Sequence, residues 1–260
     1  MTDIYVIKRD GHKEVLDLDK FHKVVMWACE GIKGVSPSEI ELKSHVQFYN
    51  NIASADIQET LIKAAADLIS EETPNYQYVA GRLINYHLRK QVYDQYQPHH
   101  LYDHVKRIVD KGFYTKELLE WYTPAEFNQM NSFIDHARDE YLTYAAMEQF
   151  RGKYLVQNRA TNHIFETPQV AYMLIAATLF HSYGENRMQW IKDAYTAFSN
   201  FDVSLPTPVM AGVRTPVKQF SSCVLIETAD SLESINATSS AIVKYVSKKA
   251  GIGIGAGSIR

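Results

Sequence analysis

Apolar and polar residues alternate with a period of two at the start of this chain, then with a period near 3.6, and condense into a short apolar run near the end. Residues 4–7 and 14–16 read as strands of a hairpin, because Asp10-Gly11 is the favoured signal for a two-residue type I′ turn. Helix starts then follow one another. Ser36-Pro37-Ser38-Glu39 has the form of a capping box with proline at the first helical position. Asp56-Ile57-Gln58-Glu59 is an acidic version, with Ile57, Leu61, Ala65 and Leu68 as one apolar stripe behind it. Thr73-Pro74 opens a helix whose Val79, Leu83 and Tyr86 face inward, and Gln97-Pro98-His99-His100 breaks the pattern.

The next stretch is again helical. Thr123-Pro124-Ala125-Glu126 repeats the proline capping signal, and residues 154–165 read as a second hairpin. Thr167-Pro168 starts an apolar helix through Phe180, and residues 187–198 give another. Pro206, Pro208 and Pro216 mark an irregular passage, after which residues 220–226 suit a buried strand. Asp230-Ser231-Leu232-Glu233 caps a helix expected to reach about Lys249, and glycines at 251, 253, 255 and 257 read as a loop. Strand, helix and loop in that order suggest the first unit of an α/β structure.

Composition narrows the picture only slightly. The 260 residues are 46% hydrophobic and 22% charged, as in ordinary globular proteins, and are enough for one large domain or two smaller ones. A net charge of -3 gives no general drive toward nucleic acid. The longest apolar stretch, residues 170–180, is too short to span a bilayer, and the N-terminus lacks the apolar core of a signal peptide. Two cysteines, Cys29 and Cys223, cannot build a disulfide framework, so a cytoplasmic location is expected.

Three features bear on chemistry. Lys8, Arg9, His12 and Lys13 crowd the first turn, and with His87 and Lys90 they could hold a triphosphate. From charge spacing alone, a solvated basic turn is the default reading. Cys223, flanked by hydroxyls, could be a nucleophile, a metal ligand or a redox thiol, or simply a small buried hydrophobe. No other cysteine or histidine stands at metal-ligand spacing, and Cys29 sits in a helical core run. The glycines do not match G-x-G-x-x-G, yet Ile252, Ile254 and Ile259 among them argue against a solvated linker.

Taken in order, these motifs resemble the N-terminal part of the large (alpha) subunit of class I ribonucleotide reductase, over the whole chain. Ile7-Lys8-Arg9-Asp10-Gly11 with Glu14 and Lys20 resembles the ATP-cone, the family's allosteric module. Ser204-Leu205-Pro206-Thr207-Pro208 and Phe220-Ser221-Ser222-Cys223 resemble the entry to its ten-stranded barrel. Asp230-Ser231-Leu232 and residues 251–260 resemble the first portions of its specificity site. The resemblance implies a mainly α fold: a cone over residues 1–97, a helical domain over 98–218, and the first strand and helix of an incomplete α/β barrel over 219–260.

The resemblance also implies roles. Cys223 would be one of two thiols that reduce the ribose and end as a disulfide. Thr207, Ser222, Ala250 and Gly251 would line the substrate. Asp230, Ser231, Leu232 and Arg260 would hold the deoxynucleoside triphosphate effector that sets substrate choice. Lys8, Glu14, Val15, Leu16, Asp17, Leu18, Asp19, Lys20, Ser54, His87 and Lys90 would contact ATP or dATP. No covalently held cofactor or metal is implied in this chain, since the diiron radical cofactor of such enzymes resides in the small subunit. Implied partners are that small subunit, a second large subunit and a thioredoxin- or glutaredoxin-type reductant, with neither membrane nor nucleic acid. Gln58 and Ser54 stand where close relatives carry histidine and threonine, so ATP is expected to bind weakly or not at all. Gly255 and Ser258 replace asparagine and arginine of close relatives. The radical cysteine and the partner of Cys223 have no counterpart in these residues. The chain is therefore expected to be half of a split reductase, inactive until a complementary polypeptide completes the barrel. The alternatives are a free-standing nucleotide-binding regulator and an inactive truncated fragment; Cys223 and the substrate residues favour the split enzyme over the regulator.

Overall fold

The computed structural model describes residues 4–45, 47–248 and 250–260, and it is mainly helical. The contacts divide it into two compact units. One comprises Met1–Pro98 with Asp135–Lys153 and Thr161–Pro168; the other comprises His99–Ile134, Tyr154–Ala160 and Gln169–Arg260.

The first unit begins with β1 (Tyr5–Ile7) and β2 (Lys13–Val15), antiparallel with Val6 opposite Glu14. The turn between them differs from the expected type I′. The Gly11 N–H bonds the Lys8 carbonyl at 2.9 Å, and the Lys8 N–H bonds the His12 carbonyl at 2.9 Å. Gly11 has a φ of +88°, whereas Asp10 has no positive φ. A type I′ turn needs φ > 0 at both central residues; here a tight turn ends in one left-handed glycine, the longer hairpin loop. Sequence alternation also left out a third strand, β3 (Ile52–Ala53), which pairs parallel to β1. Two residues are too short to show a pattern.

Four helices follow the hairpin in this unit and pack on one another: α1 (Leu18–Cys29), α2 (Pro37–His45), α3 (Ser54–Ala66) and α4 (Tyr76–Tyr93). Asp17 caps α1 by accepting from the N–H groups of Asp19 and Lys20 at 3.0 and 3.1 Å. The expected box at Ser36 is rewired. Ser36 Oγ accepts from the Glu39 N–H at 3.4 Å, but the Ser36 N–H donates to the Tyr76 hydroxyl, which donates to Glu39 Oε2 at 2.6 Å. Helix α3 starts at Ser54, two residues before the expected cap, and its face of Ile57, Leu61 and Ala65 is buried. Leu68 falls beyond the helix end. Arg82 on α4 donates to the carbonyls of Ala28 and Glu30, supplying donors to the end of α1, and to the carbonyl of Glu140. A 3-10 turn (His136–Tyr141), α8 (Tyr144–Gln149) and a π-helical turn (Phe150–Tyr154) follow later in the chain. Short strands β4 (Gln157–Asn158), which belongs to the second unit, and β5 (His163–Ile164), which belongs to the first, stand where the second hairpin was expected.

The second unit carries α5 (Leu101–Asp110), α6 (Glu117–Trp121), α7 (Pro124–Phe133), α9 (Pro168–Phe180), α10 (Arg187–Ser199) and α11 (Thr207–Gly212). Every residue from Val170 to Ala177 is buried, as expected of a helix apolar all round. The Tyr122 hydroxyl donates to the Ala177 carbonyl and the Tyr195 hydroxyl to Gln169, so polar tips in this core are paired. At α7 the capping box forms as expected: Thr123 Oγ1 accepts from the Glu126 N–H at 3.3 Å, and Glu126 accepts from the Thr123 N–H at 2.8 Å. Thr123→Ala should cost about 1 kcal/mol and lower Tm by ~2–4 °C in a melting experiment. An unchanged Tm would mean the box adds nothing.

The second unit ends on β6 (Cys223–Glu227), α12 (Leu232–Val246) and β7 (Gly251–Gly255). Here the sequence expectations need correction. The glycine run is a strand, not a loop: β7 pairs parallel to β6, with Cys223 opposite Gly251 and Glu227 opposite Gly255. The α/β unit therefore has two strands rather than one. The strand also starts later than expected and is not buried on both faces, since Cys223, Leu225 and Glu227 are exposed while Val224 and Ile226 are half-buried. Ser231, not Asp230, caps α12 by accepting from the Ser234 N–H at 3.1 Å. Lys249, where that helix was expected to end, lies outside the described residues.

Candidate functional site

The hairpin, α1, α3 and α4 enclose a cavity of about 840 Å³ within the first unit. Its size suits a drug- or nucleotide-sized ligand. Of the residues named for the triphosphate, Lys8, Glu14, Leu16, Asp17, Lys20, Ser54 and Lys90 line it. Val15 and Leu18 are exposed, and neither they nor Asp19 are among the lining residues. His87 does not line it either. It points to Glu59, with Nε2 3.6 Å from Oε1, and burial pushes its pKa down. Arg151 pairs with the same Glu59 at 2.7 Å and with Glu148 at 2.6 Å.

Spacing placed charge at the hairpin, and Arg9 and His12 from that turn do line the cavity, although Lys13 does not. Lys23, Tyr86 and Asp94, which spacing did not pick out, also face it. Lys20, Lys23 and Val24 recur at i, i+3 and i+4 along α1, a helical signal that would have found Lys23. Arg9 donates to the Lys90 carbonyl, and its partial burial pulls its pKa down while Asp94 opposes that shift. Lys90 Nζ lies 4.4 Å from the centre of the Tyr86 ring, within cation–π range. Ser54 and Gln58 both line the cavity, so the two positions expected to weaken nucleotide binding face the same space.

The second group of named residues lies on the β6–α12–β7 unit. Cys223 is exposed at the start of β6, and Ser222 Oγ stands 3.7 Å from its Sγ. The Gly251 N–H donates to the Ser222 carbonyl at 2.7 Å, so Ser222, Cys223 and Gly251 are neighbours. Ala250 is buried just before them. Thr207 lies in the first turn of α11. At the other end of the unit Asp230 pairs with Arg260, while Ser231 and the exposed Leu232 open α12. Cys29, by contrast, is buried in α1 with its pKa pushed up to about 11 by burial, the state of a packing residue.

The class of protein follows from comparison with known families. Residues 4–91 match the ATP cone domain, and residues 140–218 match the all-alpha domain of ribonucleotide reductase. The chain is 59% identical over 259 residues to ribonucleoside-diphosphate reductase 1 subunit alpha of Escherichia coli (strain K12), covering 99% of this chain and 34% of that protein. It is 46% identical over 262 residues to the alpha subunit of Enterobacteria phage T4, covering 100% of this chain and 34% of that one. With the alpha subunit of Helicobacter pylori (strain J99 / ATCC 700824) the identity is 35% over 233 residues, 89% of this chain and 29% of the relative. The chain spans about a third of the length of these relatives. Over its whole length the chain thus corresponds to the N-terminal, cone-bearing portion of class I ribonucleotide reductase alpha subunits.

Proposed function

We propose that this chain supplies the regulatory cone and the first share of the substrate site of a ribonucleoside-diphosphate reductase. The observation that carries the reading is the joint placement of Lys8, Lys20, Ser54 and Lys90 around one cavity, in a segment that matches an ATP cone throughout. ATP or dATP would occupy that cavity. Lys8, Arg9, Lys20 and Lys90 would answer the phosphates, and Tyr86 with Ile57 would offer apolar surface for the base.

On the same reading Cys223 is a reducing thiol. A thiyl radical elsewhere in the enzyme would take the 3′ hydrogen of a ribonucleoside diphosphate, and the 2′ hydroxyl would leave as water. Cys223 and a second thiol would together supply two electrons and two protons and end as a disulfide. Asp230, Ser231, Leu232 and Arg260 would meet a deoxynucleoside triphosphate effector. Thr207, Ser222, Ala250 and Gly251 would face the substrate diphosphate. The small diiron subunit would supply the radical, and a thioredoxin- or glutaredoxin-type protein would reopen the disulfide. A cytoplasmic setting fits this chemistry, and among the described residues no helix is long and apolar enough to cross a membrane.

The two-stranded β6–β7 sheet supports the need for further strands. Leu225 is 88% exposed and Ile254 52% exposed. An exposed strand pair with apolar side chains is marginal alone and prone to association. The remainder of a barrel, whether on this polypeptide or on a complementary one, would cover these edges. In this reading the chain has no reductase activity by itself and gains it with that remainder and the small subunit.

The cone reading is tested by calorimetric titration with ATP and dATP. Gln58→His combined with Ser54→Thr should tighten binding about tenfold, ~1.4 kcal/mol. Lys8→Ala combined with Lys90→Ala should remove binding. Equal affinity in all three proteins would place the nucleotide elsewhere.

A further inference from the structure

We infer that His12 is a further binding residue of the cone cavity, one whose imidazolium form releases Lys8 for a polyphosphate. The inference rests on the nucleotide reading of that cavity. On the rim of the hairpin His12 Nδ1 lies 2.6 Å from Asp10 Oδ1, and Nε2 lies 3.7 Å from Glu14 Oε2. Glu14 is in turn the shared anion of the site, 2.8 Å from Lys8 Nζ and 3.7 Å from Lys20 Nζ. A neutral imidazole carries one N–H. If that proton bonds Asp10, the Nε2 lone pair faces a carboxylate. Only the doubly protonated ring attracts both acids at once. When it does, Glu14 is drawn toward His12 and its hold on Lys8 weakens, leaving an ammonium free to meet phosphate oxygens.

Charge around the cavity points the same way. The hairpin contributes Lys8, Arg9, Asp10 and Glu14; α1 contributes Asp17, Lys20 and Lys23; the end of α4 contributes Lys90 and Asp94. Ser54 and Gln58 from α3 carry no charge. Five fixed cations thus face four carboxylates, a surplus of one among the described lining residues, and the imidazolium doubles it. A tetra-anionic ligand feels that change strongly in a partly enclosed site. Two of these carboxylates are already held by their neighbours: hydrogen bonds from His12 keep Asp10 below the usual carboxylate range, and the bond from Lys8 does the same for Glu14. If binding favours the imidazolium, nucleotide binding should take up a proton wherever the ring starts neutral.

The experiment compares the 260-residue chain with its His12→Asn and His12→Lys variants, titrating ATP from pH 6 to pH 8. The terminal phosphate of ATP titrates in this range for all three proteins alike, so the ratio of affinities isolates the imidazole. That ratio, unmodified chain over His12→Asn, should rise about fivefold from pH 8 to pH 6. His12→Lys, which carries its charge throughout, should bind at pH 8 as the unmodified chain does at pH 6. A ratio constant with pH overturns the inference while leaving the nucleotide site intact. A pH-dependent ratio without rescue by lysine also overturns it, since charge would not be the cause. Absence of binding by every protein at every pH removes the nucleotide reading itself and this inference with it.

Discussion

Sustained deoxynucleotide formation should fall on the order of a thousandfold, ~4 kcal/mol in barrier terms, when Cys223 is replaced by serine in the completed reductase. Serine keeps nearly the same volume and a hydroxyl donor but could not form the proposed disulfide, which would carry two electrons. The thiol lies exposed on one face of β6, beside Gly251, which has no side chain to cover it. Nothing in its packing depends on sulfur, so substrate and effector affinities should stay within about twofold. The assay needs the chain together with the rest of the alpha subunit and the small subunit, supplied with a thiol reductant. Normal continuous turnover by Cys223→Ser would take this thiol out of the chemistry.

The second large effect is on folding. Gly81 sits inside α4, where alanine would ordinarily be favoured by about 1 kcal/mol. A Cβ at this position would collide with the Leu142 carbonyl oxygen and approach its carbonyl carbon to 3.1 Å. The obstacle is backbone, which cannot swing aside as a side-chain tip can. Overpacking of this kind costs about 1–3 kcal/mol and sometimes more, so the collision outweighs the propensity gain. Gly81→Ala should therefore destabilise by roughly 2 kcal/mol net and lower Tm by ~4–8 °C. An unchanged or raised Tm would show that α4 can move off the chain near Leu142 at little cost.

Much of the helical architecture could be read from residue order because its signals are local. Thr123 and Glu126 lie three residues apart and close a box with no outside help, so their pattern sufficed. Ser36 and Glu39 carry the same pattern, yet Tyr76, far along the chain, intervenes with a hydroxyl and rewires the bonds. The glycine strand β7 was illegible for a related reason. Glycine is a poor strand former, and alternate glycines look like a loop. They are a strand here because Leu225 and Glu227 fold across Gly253 and Gly255; a Cβ on Gly253 would come within 2.8 Å of the Leu225 side chain. Half of that pattern is written on another strand. In the cone, charge at the hairpin was visible from residues 8–13, but which helix faces closed the cavity was not, and His87 turned toward Glu59 instead.

The parallel pairing of β6 with β7 has a consequence for how this segment is made. Antiparallel strands can pair as soon as a tight turn is complete, whereas parallel strands need a crossover between them. On the ribosome, Cys223 emerges well before Gly251, its partner, and the whole of α12 must be synthesised in between. During that interval the backbone of β6 has no β7 to bond, and Leu225 has no glycine strand to lie across. Translation speed through residues 228–255 thus sets how long an apolar strand waits unpaired, the period in which such a segment is most open to capture by chaperones or by other nascent chains.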